Sequence, residues 1–123
     1  MSRPKLKVGW TAFPNIFIDE VMPKLRDTEF RVLSVIIRET LGREDFEGDR
    51  KRRTWLSQAL LKKRTGRASA ALSQAINVLC LAGLIEIKDG MGRYLHSARA
   101  RRRYRGRLLF SISQSLRSQL TEK

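Results

Sequence analysis

The chain has 123 residues, 41% of them apolar and 31% charged, with a formal net charge of +14. That length suits one compact domain with a real core and leaves little room for two. No apolar run approaches the ~20 residues of a membrane span, and no apolar stretch follows the basic N-terminus as a signal peptide requires. The charge is unevenly divided. Residues 1–49 are nearly neutral, while residues 50–109 hold 16 Lys/Arg against only Glu86 and Asp89. Solubility alone gives no reason for such a division, whereas a face for a polyanion does.

In chain order, residues 1–13 read as an extended arm with Arg3, Lys5 and Lys7 exposed. Asn15 is placed to cap a short helix whose apolar side is Ile18, Val21 and Met22 and which Pro23 ends or kinks. "DTEFRVLSVIIRETLG" is the clearest helix, with Asp27 or Thr28 as its cap. Phe30, Leu33, Ile37 and Leu41 recur at helical spacing, Val32 and Ile36 widen the stripe, and Gly42 stops it. "REDFEGDRKRR" is a polar loop, and its last four residues, Arg50 to Arg53, make either a short third strand or a phosphate contact. From Thr54 to Arg64 a helix is expected, with Leu56, Ala59 and Leu60 inward and Lys62, Lys63 and Arg64 at its end.

Thr65-Gly66 reads as a turn, followed by a helix through Ala82 with an inward stripe of Leu72, Ala75, Ile76 and Leu79. Arg67, Ala70, Gln74 and Asn77 fall on the opposite side, with Ser73 beside them. Gly83 ends this helix. "LIEIK" alternates as a half-buried strand does, "DGMG" is a turn, and "RLLFSI" is a second strand with Leu109 set for the core. Between them lies "RARRRYRGR", six arginines in nine positions. The tail from Ser113 is a helical turn or two, or frayed.

Two helices across a short glycine turn, followed by a strand, a basic loop and a strand, define a fold expectation. It is α+β and mostly helical, a winged helix-turn-helix with a small β-hairpin wing. The arm covers 1–13, the DNA-binding domain 14–113 and a C-terminal tail 114–123. The expected ligand is double-stranded DNA. Arg67, Ser69, Ala70, Ser73, Gln74 and Asn77 form the reading face, since small residues let a helix sink into the major groove and Gln or Asn can pair with adenine. Arg52, Arg53, Lys62, Lys63 and Arg64 reach the backbone. Arg93, Arg99, Arg101, Arg102, Arg103, Arg105 and Arg107 arm the wing, for the backbone or a narrow minor groove.

The stretches 13–42 and 56–87 resemble the N-terminal domain of phage replication protein O and related phage and plasmid initiators. Pro14-Asn15, Thr65-Gly66 and Gly83-Leu84-Ile85 stand at that family's landmarks. The resemblance implies a winged helix that binds repeated sites in a replication origin, with a homodimer and a replication-machinery partner as further expectations. It also implies a bacterial host cytoplasm with nucleoid association. Three departures stand out. The 54–64 helix is about two residues long for the pattern. Ala68-Ser69-Ala70-Ala71 replaces the usual Ser-Arg-Arg-Thr. The chain stops before the region with which initiators recruit helicase-loading partners.

No enzymatic chemistry is expected. Cys80 and His96 are single, so no usual zinc ligand set forms, no intrachain disulfide is available, and a reducing compartment fits. No phosphate-binding glycine loop is present. The acidic pairs Asp19-Glu20 and Glu44-Asp45 lie outside the basic half, which argues against a metal-dependent nuclease. No cofactor is expected. A transcriptional regulator of the same fold is the near alternative, and a basic RNA-binding protein the more distant one. Against RNA, Trp10, Trp55, Tyr94 and Tyr104 do not read as a stacking platform. Val78 and Leu81 point away from the main apolar stripe, toward the N-terminal segment or another subunit.

Overall fold

The computed structural model describes residues 11–42 and 53–121. The expected arm through Trp10, the polar loop with Glu44-Asp45, and Arg52 lie outside the described residues. The fold is α+β, mostly helical, with one three-stranded antiparallel sheet. Its elements are α1 (Asp27–Glu39), β1 (Arg53–Trp55), α2 (Gln58–Thr65), α3 (Ser69–Leu81), β2 (Ile85–Lys88), α4 (Ala98–Arg103), β3 (Leu109–Ile112) and α5 (Gln114–Thr121).

α1 is the hub. Val32, Leu33, Ile36 and Ile37 are fully buried, because adjacent pairs at helical spacing give a stripe wide enough to face α2, α3 and the sheet together. Its cap differs from expectation. Arg26 is the N-cap residue, and its backbone N–H donates to Glu29 Oε1 at 3.1 Å, so the buried Glu29 satisfies an orphan donor that Asp27 and Thr28 do not. α3 presents the expected stripe of Leu72, Ala75, Ile76 and Leu79 to the core. It closes with the Leu84 N–H on the Leu79 carbonyl and the Gly83 N–H on that of Cys80.

The segment before α1 departs from a capped α-helix. Phe17–Val21 makes one wide π-type turn and Met22–Lys24 a 3-10 turn. No side chain caps the first turn. Phe17 and Val21 are buried, whereas Ile18 and Met22 are exposed. The larger ring wins the inward position, where Phe17 meets Phe13 edge-on at 5.7 Å.

The expected helix over Thr54–Arg64 is divided. Arg53–Trp55 is a strand, and the helix begins only at Gln58, where Ser57 Oγ accepts the Leu60 N–H at 3.0 Å. Thr54 and Trp55 suit a strand, and Ser57 is a ready cap, so the apparent two-residue excess belongs to β1. The inward side of α2 is Leu61, not Ala59, which is exposed.

β3 lies between β1 and β2, with Thr54 opposite Phe110 and Ile87 opposite Phe110 on the other side. Phe110 and Ile112 therefore face the core. Leu109, expected inside, lies on the other face of the pleat beside Trp55 and Lys88 and is half-buried.

The arginine run is not simply a loop between strands. After β2 the chain turns at Asp89–Gly92 and runs back along the outer edge of β2, where Leu95 N–H donates to the Ile87 carbonyl at 2.9 Å. Ser97 then caps α4, its Oγ accepting the Ala100 N–H at 3.0 Å, and α4 holds the first half of the run. The tail is the helix α5, whose Leu116 joins the core.

Candidate nucleic-acid interface

Gly66, Arg67 and Ala68 join α2 to α3, and the junction is built tightly. Gly66 takes φ +72°, a left-handed backbone that side chains resist, and its N–H caps α2 on the Lys62 carbonyl. Thr65 is buried. Its Oγ1 donates to the Leu61 carbonyl at 2.6 Å and accepts the Arg67 N–H at 3.2 Å. From α1, Arg31 Nη1 donates to the Thr65 carbonyl at 2.7 Å, and Gln58 Nε2 donates to the Ser69 carbonyl at 3.3 Å. α2, α3 and the hub helix thus share one fixed corner.

On α3, Ser69, Ala70, Ser73 and Gln74 are exposed and make a thin polar strip. Arg67 enters it half-buried, with Nε out of water and no hydrogen-bond partner. Asn77 continues the strip but is engaged internally, its Oδ1 accepting from Arg101 Nη2 at 3.2 Å. Val78 and Leu81 follow, exposed, at the far end of the helix.

The basic residues divide into free and engaged. Lys62, Lys63 and Arg53 are exposed, and Arg64 pairs with Glu39 at 3.1 Å. In the expected wing, Arg99, Arg102, Arg103, Arg105 and Arg107 are exposed and form no ion pair among the described residues. Arg93 closes the Asp89 turn at 2.9 Å. Arg101 is buried, and its guanidinium holds the Leu95 carbonyl at 3.2 Å, Asn77, and at 3.8 Å the Cys80 sulfur. It is the latch that ties α4 to Asn77 and Cys80 of α3. No spacing rule marks one arginine of six as the buried one; that signal was absent from the sequence.

Two titrations are shifted. The Arg93 backbone N–H, with that of Met91 and the Arg93 guanidinium, holds the Asp89 carboxyl below its ordinary value. Burial pushes the Cys80 thiol up, against a smaller lowering by Arg101. Tyr94 stacks on His96 at 5.5 Å, with Lys88 Nζ 4.6 Å from the Tyr94 ring centre. Among the described residues no group of three or more His, Cys, Asp or Glu side chains could hold a metal ion, and no helix is long and apolar enough to cross a membrane.

Sequence reasoning missed that two aromatic residues come together. Trp55 and Tyr104 line one cleft with Arg101, Arg105 and Arg107. A tyrosine inside an arginine run was the available signal.

No protein-family model, curated protein or solved structure matches the chain.

Proposed function

We propose that this chain is a winged helix-turn-helix protein that reads double-stranded DNA by sequence, acting at repeated sites in a phage or plasmid replication origin. One observation carries the duplex reading. The thin strip of α3, from Ser69 to Gln74, starts at a braced glycine corner, Lys62 and Lys63 close the helix that leads into that corner, and Arg101 ties the segment with the exposed arginines to Asn77, further along α3. A groove floor needs a narrow helix, and its walls need cations. Gln74 is the side chain set to pair with a base edge, and Arg67 with its unpartnered Nε leads the helix in. The role in replication comes from the resemblance of residues 13–87 to the initiator family.

Selection of random duplex DNA on the protein at about physiological salt, where non-specific binding is weak, tests both parts. An enriched motif occurring in tandem copies supports the initiator. The same motif over promoters moves the function to transcriptional regulation. Binding without enrichment that vanishes as salt rises removes sequence reading.

A further inference from the structure

We infer that the cleft between the β1–α2 corner and the segment following α4 is a second nucleic-acid site, which takes an unpaired base of a single strand. It goes beyond the duplex reading and does not need it.

The cleft has a volume of about 630 Å³, within the range of small-ligand sites. Trp55 forms part of its lining and is 43% exposed, a large apolar ring left in water on an edge strand. Tyr104 lines it too, and its orientation is built. Its hydroxyl accepts the Gly90 N–H at 2.8 Å. Its ring lies over Gly106 so closely that a Cβ there would stand 2.7 Å from Cζ, so this position excludes any side chain. A Cβ at Gly90 would lie 3.0 Å from the Tyr104 hydroxyl and 3.9 Å from Trp55 Cη2, so both aromatic groups converge on that turn. Among the described residues no ring contact joins them, and the exposed Trp55 ring is left for a third flat group.

The charge completes the case. Arg105 and Arg107 line the same cleft and are exposed, and among the described residues they have no ion pair and no acidic residue lines the cleft. Ring faces beside unpaired guanidinium groups suit a base with its phosphates. A duplex keeps its bases stacked inside, so a concave aromatic site can take one only from an unpaired strand. The α3 strip has the opposite character, polar and without an aromatic residue.

The test uses the full chain and a labelled twelve-residue oligo-dT. Fluorescence anisotropy gives its affinity, alongside that of a selected duplex, and an oligo-glutamate of equal charge serves as competitor. Trp55→Ala is expected to weaken oligo-dT about ten-fold or more, in line with loss of one stacked base, while duplex affinity stays within about two-fold. Trp55→Phe, which keeps a ring, should recover most of the loss. In a Trp10→Phe chain, whose only tryptophan is then Trp55, oligo-dT should quench emission saturably and the duplex should not. Should Trp55→Ala not fold, Trp55→Leu, which keeps an apolar side chain but no ring, replaces it and should also weaken the strand selectively. Equal losses on strand and duplex, no loss on either, or oligo-glutamate competing as well as oligo-dT would each overturn the cleft. A protein that selects no duplex, yet loses the strand on Trp55→Ala, keeps the cleft and discards the duplex reading. Gln74→Ala losing the duplex while the strand ignores Trp55 does the reverse.

Discussion

Gln74 and Asn77 are neighbours on one side of α3 and similar in chemistry, yet the structure gives them different work. Gln74 is exposed, while the Asn77 carbonyl oxygen is bonded to the buried Arg101. Gln74→Ala should therefore cost ~1–3 kcal/mol on the selected site and little on random DNA, as measured by titration of both duplexes. Asn77→Ala should act first on the fold, because it removes one hydrogen bond from a buried guanidinium. The expected loss is ~1–2 kcal/mol in denaturant unfolding. Asp89 offers a pH test. Its carboxyl is held below its ordinary value, so the stability it supplies is complete above the unfolded value of ~3.9 and is lost as pH falls through the lower folded value. Thermal melts between neutral and acid pH should show an acid loss in the native chain that Asp89→Asn flattens.

Among the elements, the long helices were legible and the short pieces were not. α1 and α3 announce themselves by apolar residues at 3.6-residue spacing, and the α3 stripe matched residue for residue. β1 has three residues, too few for alternation to show, and its Thr-Trp pair was absorbed into the helix that follows. α4 has no apolar period at all. Its sequence, "ARARRR", offers only charge, and its position is set by what Arg101 reaches in α3 and in the Leu95 strand edge, a contact that sequence spacing does not express. The thin strip of α3 and the lysines at the end of α2 were readable from residue type and position, whereas the Trp55–Tyr104 cleft joins residues 49 positions apart. The arginines to alter are therefore the exposed ones. Neutralising Arg102, Arg103 and Arg105, and sparing Arg101, should weaken all duplexes together and reduce the salt slope by roughly 0.9 per lost phosphate contact. An unchanged slope would make the run a bystander. Arg101→Ala should instead lower the melting temperature, because α4 loses its latch.

At the scale of the whole molecule, a net charge of +14 is concentrated in the middle of the chain, and five arginines of the run stand without ion pairs among the described residues. Like charges held this close repel at low ionic strength, and the fold carries that cost until an anion arrives. Raising sodium chloride from about 10 to 200 mM shortens the screening length from ~30 Å to under 10 Å and should raise the melting temperature. A short duplex should raise it further through binding linkage. If added salt lowers the melting temperature, the run is better compensated than its surroundings indicate.

The place of β3 has a bearing on how the chain acquires its shape. It is the last strand in sequence and the middle strand of the sheet, so β1 waits for a partner more than fifty residues downstream and β2 for one more than twenty downstream. Loop closure over such spans is slow compared with forming a helix pair through local contacts. On a ribosome, α1, α2 and α3 can meet while residues 109–112 are still in the exit tunnel. The corner of α1, α2 and α3 would then precede the sheet in time, and β3, by pairing with β1, would be the piece that fixes Trp55 at the open cleft it shares with Tyr104.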